Sequence, residues 1–179
     1  MKQIKLALIA ATSLLSLAVN AQIVGVNAFL KGDHVEVGLN KCGVYGTTAA
    51  PPAGYHPNVF GLGFVADSDL DGWDVGSPYD YCGDYFVPGT PEEGWQVQIG
   101  GSVYTNASNG CSPSEIPGSI TTYEFSGGMY TAIWEGTIAS EDISITQTTT
   151  LLIDKTYFVT RVLICNDGPT DLVDVYYNR

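Results

Sequence analysis

Three aspartates alternate with other residues in a short stretch of the chain, Asp67-Ser68-Asp69-Leu70-Asp71-Gly72-Trp73. Ca²⁺ takes about six to eight oxygen ligands, and alternate carboxylates in a tightly turned loop converge on one ion, to which the carbonyl of the seventh residue adds an oxygen. The stretch therefore predicts a calcium site. Its predicted ligands are Asp67, Asp69, Asp71, Trp73 and Asp74.

This stretch is not an EF-hand, because the twelfth position is Pro78 and no helical pattern flanks the loop. The alternative is a solvated acidic turn, since Asp and Gly also mark ordinary turns. Three like charges so close together repel one another without a cation, which favours the ion.

Aromatic residues are frequent around the predicted calcium loop. Exposed rings near such a site can form a platform for sugar rings or for a protein partner. The residues assigned to this ligand-binding surface are Trp73, Tyr79, Tyr81, Tyr85 and Trp95. For any single one of them, the alternative is a core position beneath a long loop.

Candidate acid–base residues are few, and no catalytic residue is assigned. The chain has two histidines, His34 in a strand pattern and His56 before a proline. No G-x-S-x-G context appears. Glu92 or Glu93 with Glu135 would make a glycosidase pair only if the fold brings the two carboxyl groups face to face.

Short runs rich in Val, Ile, Thr, Tyr and Phe alternate with clusters of Gly, Pro, Asn and Asp, which predicts strands and turns rather than helices. The predicted strands are 23–30, 33–39, 59–66, 95–99, 101–105, 119–125, 129–138, 142–153, 156–166 and 171–177. Ten strands in one domain favour an all-β antiparallel β-sandwich with a long irregular loop region, and a closed barrel is the alternative.

Turn residues predict how these strands connect. Gly32-Asp33 joins the first two strands, and Gly127-Gly128 fits a two-residue hairpin turn. Asp154-Lys155 and then Asp167-Gly168-Pro169 make the C-terminal half an antiparallel meander. Strand 156–166 carries large apolar groups on both faces, which predicts a central position in its sheet.

Cysteine usage and the N-terminus both indicate export. Lys2 and Lys5, an apolar run and the small-x-small site Val19-Asn20-Ala21 predict a signal peptide over residues 1–21, followed by a single domain over 22–179. The apolar run is shorter than the roughly 20 residues that span a membrane. The chain also ends within a strand pattern, which favours a longer gene product.

Four cysteines in the exported part favour two disulfides, and three connectivities are possible. The preferred pairing is Cys82 with Cys111 and Cys42 with Cys165. A structural zinc site is the competing interpretation, but no CxxC or histidine pair has the required spacing.

The charge of the exported part limits its partners. All 19 acidic residues but only five of the seven basic ones follow Ala21, which gives a formal net charge of −14. Such a surface repels nucleic acid and anionic membranes. The expected partner is an extracellular glycan or protein, and the sequence leaves the oligomeric state open.

Several blocks resemble a known group of proteins. AFLKGDHVEVGLNKCGVYGT, ADSDLDGW, CGDYFVPGTPEEGW and ITQTTT…YFVTRVLICNDGPTDLVDVYY are similar to the N-terminal β-domain of large secreted surface proteins of Bacteroidota. The resemblance implies export and cell-surface work, and it implies no catalytic residues. Such proteins often carry adhesion-type repeats and a C-terminal sorting domain, which this sequence lacks.

Three functions follow from these observations. The favoured one is a secreted or cell-surface adhesion module that is stabilised by calcium and binds a glycan or a protein. The second is a secreted hydrolase acting on polysaccharide, and the third is a purely structural domain of a longer surface protein. The first and third differ in whether Trp73 and Trp95 are exposed.

Overall fold

In the computed structural model of the chain, the described residues form eleven antiparallel strands in three sheets. The structure describes residues 22–47, 49–56, 61–73, 93–107 and 111–179. In chain order the strands are β1 (Gln22–Val24), β2 (Asn27–Lys31), β3 (Val35–Leu39), β4 (Phe64–Ala66), β5 (Gly94–Ile99), β6 (Ser102–Ala107), β7 (Gly118–Ser126), β8 (Met129–Ile138), β9 (Ile143–Leu152), β10 (Val159–Asn166) and β11 (Val175–Asn178). A short 3₁₀ helix, Ala139–Glu141, links β8 to β9. The all-β antiparallel sandwich expected from the sequence is confirmed.

The described strands divide into two four-stranded sheets and one three-stranded sheet. The long sheet, named for its long strands, has the order β10-β9-β8-β7, and the N-terminal sheet has the order β1-β2-β3-β4. The third sheet has the order β11-β5-β6 and is also antiparallel; it is called the mixed sheet because it combines strands from the middle and the end of the chain. The predicted hairpin between β7 and β8 is confirmed. Gly127 and Gly128 have φ angles of 59° and 78°, the left-handed backbone that a two-residue turn of this kind requires.

The long sheet forms one layer of the sandwich, and the other two sheets cover its inner face. One apolar cluster joins the mixed sheet to the long sheet through Trp95, Val97, Ile99, Trp134, Ile138, Ile143 and Ile145. A second cluster joins the N-terminal sheet to the long sheet through Ala28, Leu30, Val35, Val37, Leu39, Tyr130, Ala132 and Leu151. These side chains alternate along their strands, so every second residue of β8 and β9 is buried.

Strand β10 lies at the edge of the long sheet, so the prediction of a central position is wrong. It pairs with β9 alone among the described strands. Val159 and Leu163 on its outer face are about half exposed. Large apolar residues on both sides of a strand are therefore not sufficient evidence that both faces are covered.

The last strand does not extend the meander. After β10 the chain turns at residues 167–174, and β11 then pairs with β5 in the mixed sheet, with Val175 opposite Ile99. Tyr177 packs beside Trp95 in the core below. The crossover thus links the two layers of the sandwich, whereas turn residues alone had predicted another hairpin.

One disulfide joins Cys42 to Cys111, with their Cα atoms 5.8 Å apart. The preferred pairing of Cys42 with Cys165 and of Cys82 with Cys111 is therefore wrong. Cys42 lies in the core, whereas Cys165 is a half-buried free thiol on β10, at the other layer's edge. Cys82 lies outside the described residues.

Candidate functional site

The aspartate-rich stretch forms a tight loop directly after β4. The carboxylate of Asp67 is buried, and its Oδ1 and Oδ2 accept the backbone N–H groups of Asp71 and Gly72, each at 3.1 Å. Leu70 and Trp73 adopt left-handed φ angles of 58° and 63°. Non-glycine residues rarely adopt this backbone, and it is concentrated at ligand-binding and other functional positions.

The surroundings of Asp67 favour its ionised form. Burial raises its pKa, but the N–H groups of Gly72 and Asp71 and the His34 ring together hold the pKa below its usual range. The His34 Nδ1 atom lies 3.5 Å from Oδ2. The loop therefore closes around a negative charge at neutral pH.

The other carboxylates of the loop are exposed. Asp69 and Asp71 both point away from the core, and Asp74 lies outside the described residues. Among the residues that the structure describes, no three His, Cys, Asp or Glu side chains converge on one point. The carboxylates of the loop nevertheless offer oxygen ligands, which are the ligands that Ca²⁺ selects.

Trp73 lies at the end of this loop, and its indole ring is partly exposed and held in place by two contacts. Its Nε1 donates to the carbonyl of Asp33 at 2.6 Å. The indole stacks on the His56 imidazole with 4.0 Å between ring centroids and 13° between planes. Two contacts from separate segments thus hold the ring in place beside the aspartates.

The buried carboxylate of Glu36 holds His56, whose ring stacks on Trp73. Glu36 on β3 is 0% exposed, and its oxygens accept the backbone N–H of His56 at 2.7 Å and contact its Nδ1 at 3.0 Å. Lys31 Nζ lies 2.7 Å from Glu36 Oε1 and also donates to the carbonyl of Gly54. Both histidines are therefore bound to carboxylates, in two separate pairs.

Only part of the predicted aromatic platform is at the surface. Trp95 is 2% exposed, its Nε1 donates to the carbonyl of Cys42, and its ring packs edge-on against Trp134. The ligand-binding role predicted for Trp95 is therefore wrong, because its position on β5 faces the core. The predicted residues Tyr79, Tyr81 and Tyr85 lie outside the described residues.

A polar seam lies between the two apolar clusters, with four buried members, Tyr45, Glu93, Gln147 and Thr149. It reaches the surface at Arg179, whose side chain is 19% exposed. Arg179 Nε lies 2.6 Å from Glu93 Oε1, and Arg179 Nη1 donates to Gln147 Oε1 at 2.8 Å. Tyr45 donates its backbone N–H to Glu93, and its hydroxyl contacts Thr149. The seam bridges all three sheets.

The seam decides the question of a glycosidase pair. Burial raises the pKa of Glu93, although Arg179 and the N–H of Tyr45 act in the opposite direction. Glu135 is exposed on β8, next to the inward-facing Trp134, and therefore points to the outer side of the long sheet. Glu93 and Glu135 do not face each other, and Glu92 lies outside the described residues.

Asn106 begins an Asn-Ala-Ser sequon but is a core residue. Its side chain is 0% exposed, donates to the carbonyls of Cys42 and Ile116, and accepts the N–H of Ile116. The folded protein therefore cannot be glycosylated at this asparagine.

Sequence reasoning found the loop but missed the groups that hold it. Glu36 is buried although its strand neighbours Val35 and Val37 are buried too, so alternation along the strand gives no signal for it. The Glu93–Arg179 pair joins distant segments and has no local signal. Asp33, which receives the Trp73 N–H, was recognised only as a turn residue.

Comparison with known proteins found no match: no family, no curated protein and no solved structure resembles this chain closely enough to be identified. The similarity to secreted surface proteins of Bacteroidota therefore stays a prediction. Within the described ranges, no helix has the length and apolar character needed to cross a membrane. Any function must be argued from the geometry above.

Proposed function

We propose that this chain is a secreted or cell-surface binding module that acts in adhesion, with calcium ordering the loop of residues 67–73. The observation that carries the proposal is the geometry of that loop. The buried Asp67 closes the turn, while Asp69 and Asp71 stand at the surface beside the fixed, partly exposed ring of Trp73. The carboxylate oxygens of Asp69 and Asp71 and the aromatic ring of Trp73 thus lie on the same surface.

Calcium has a specific task in this arrangement. The exposed carboxylates of Asp69 and Asp71 repel each other and the ionised Asp67, which disfavours any closed form of the loop. A divalent cation removes this repulsion and draws the two side chains toward Asp67. Asp74, which follows directly, would supply a further oxygen. The chemistry needed from the ion is charge neutralisation and coordination alone.

The neighbouring groups support binding rather than acid–base catalysis. His34 and His56 contact Asp67 and Glu36, which already hold loop backbone groups in place. These pairs fix the shape of a surface. Export is proposed on the basis of the signal-like N-terminus, and the disulfide between Cys42 and Cys111 is typical of proteins in oxidising compartments.

Thermal unfolding of residues 22–179, with calcium and with a chelator, tests the role of the ion. Calcium that binds the folded state alone should stabilise it by about 2.7 kcal/mol at a hundredfold excess over Kd. Asp69→Ala should remove most of this gain. The matched control is Asp171→Ala, an exposed aspartate outside the loop, which should keep the full calcium response.

Binding itself is tested on arrays of glycans and of purified extracellular proteins, each in calcium and in chelator. A ligand that is bound in calcium and lost in chelator supports the proposal. If wild-type protein binds nothing on either array, or if Asp69→Ala leaves the calcium response unchanged, the proposal is contradicted.

A further inference from the structure

The outer face of the mixed sheet has an unusual composition. Trp95, Val97, Ile99 and Tyr177 point into the core, so the residues between them point outward. The outward residues, together called the amide face, are Gln96, Gln98, Val103, Thr105, Tyr176 and Asn178. Five of the six carry an amide or hydroxyl group, and none is an Asp, Glu, Lys, Arg or His.

Strand register places these residues in two rows. Tyr176 lies opposite Gln98, which lies opposite Val103 on the third strand. In the next row, Asn178 lies opposite Gln96, which lies opposite Thr105. Side chains opposite one another across strands are about 5 Å apart, and successive outward residues along a strand are about 7 Å apart. An aromatic ring therefore has amide groups both beside it and along its strand.

The groups of the amide face are available to a ligand. Tyr176 is 60% exposed. Within the part of the chain that the structure describes, the side chains of Gln96 and Asn178 make no hydrogen bond to protein, while Gln98 donates one to the carbonyl of Gly100 at 3.0 Å. Glu115 marks the margin of the face, where it accepts the N–H of Thr105.

We propose that the amide face binds a neutral glycan, an inference that rests on the proposed binding function and gives it a second surface, apart from the loop of residues 67–73, and a ligand class. Tyr176 would stack on the apolar side of a sugar ring, as aromatic rings do with flat apolar surfaces. The amides of Gln96, Gln98 and Asn178 each both donate and accept, which suits sugar hydroxyls.

Charge selects a neutral ligand over the alternatives. The exported chain has a formal net charge of −14, so an anionic glycan is repelled as it approaches. A basic partner would instead seek the many carboxylates found elsewhere. A second copy of this chain carries the same negative charge, and the face offers it only Val103 and Tyr176 as apolar contacts.

The test is affinity electrophoresis of residues 22–179 in gels that contain laminarin, xylan, mannan or soluble starch, with alginate as the anionic control. We expect retardation by at least one neutral polysaccharide and none by alginate. Tyr176→Ala should raise the dissociation constant about tenfold or more, and Gln96→Ala should raise it severalfold. Tyr157→Ala, an exposed tyrosine outside the face, is the matched control and should bind like wild type.

The outcomes separate this inference from the broader proposal. Neutral-glycan binding that Tyr176→Ala leaves unchanged overturns the amide face but leaves a binding module. Failure to bind any neutral polysaccharide, together with binding to a protein on the array, overturns the ligand class alone. Failure to bind either kind of ligand overturns both. NMR shifts of the Gln96 and Gln98 side-chain amides on titration with the retarding polysaccharide should accompany binding, and their absence places the ligand elsewhere.

Discussion

The guanidinium of Arg179 lies over the ring of Tyr45, 4.3 Å from its centroid, in a side chain that is 19% exposed. From this position it also forms the ion pair with Glu93. The end of β11 is thereby attached to the long sheet and to the segment before β5. The seam therefore contributes to holding the three sheets in one arrangement.

Removal of Arg179 should destabilise the fold strongly. Arg179→Met leaves Glu93 buried without its partner, and breaking such a pair costs about 3–5 kcal/mol in free energy of unfolding. Urea denaturation at neutral pH measures the loss, with Arg161→Met on the exposed face of β10 as the control. The double variant Glu93→Gln, Arg179→Met should recover a large part of the stability. A loss below about 1 kcal/mol would mean that water already solvates Glu93.

The raised pKa of Glu93 fixes the sign of one pH effect. Because the folded state binds this proton more tightly than the unfolded chain does, the contribution of Glu93 to stability is full below its ordinary pKa of 4.5. This contribution is lost as the pH rises through the folded pKa. The free energy of unfolding of wild type minus that of Glu93→Gln should therefore fall as the pH rises from about 4 to 7. A difference that grows with pH would contradict the assignment.

Loss of the disulfide should have a large effect. Cys42 and Cys111 are 69 residues apart, and a loop of this length corresponds to about 4 kcal/mol of stabilisation through the unfolded state. Cys42→Ser should lose about that much in urea denaturation, whereas Cys165→Ser should change stability little. Mass spectrometry after alkylation without reduction checks the pairing. Alkylation of Cys111 in the folded wild type would show that the pairing of Cys42 with Cys111 is wrong.

Glu36 should be essential for the segment that carries His56. Glu36→Ala removes the acceptor of the His56 N–H and the partner of Lys31, which predicts a loss of about 2–4 kcal/mol. Amide hydrogen exchange at His56 should accelerate in the same variant. Glu135→Ala, an exposed glutamate, is the control and should stay within about 0.5 kcal/mol of wild type. Equal stability of Glu36→Ala and Glu135→Ala would contradict the role of Glu36 in holding the segment that carries His56.

Local signals predicted most of the strands, because alternation and turn residues act over a few positions. Gly127-Gly128 and the β7 to β10 meander were found in this way. The edge position of β10 and the crossover to β11 were not, because the choice of neighbouring strand depends on contacts far apart in sequence. Tyr177 beside Trp95 is one such contact.

The same limit applies to the candidate site. The aspartate pattern located the loop, since Asp67, Asp71 and Gly72 are adjacent enough to fold on one another. Exposure could not be read from residue type, and Trp73 and Trp95 therefore looked equivalent although one is partly exposed and the other is buried. The support from Glu36 and His56 required the folded sheet.

The most direct measurement of the central claim is a titration of residues 22–179 with Tb³⁺, an ion that replaces Ca²⁺ at oxygen sites, with excitation of tryptophan. A calcium-ordered loop beside Trp73 predicts saturable Tb³⁺ luminescence that Ca²⁺ displaces, that Asp69→Ala abolishes and that Asp171→Ala retains. Luminescence that does not saturate, or that is equal in Asp69→Ala and wild type, would contradict a calcium site in this loop.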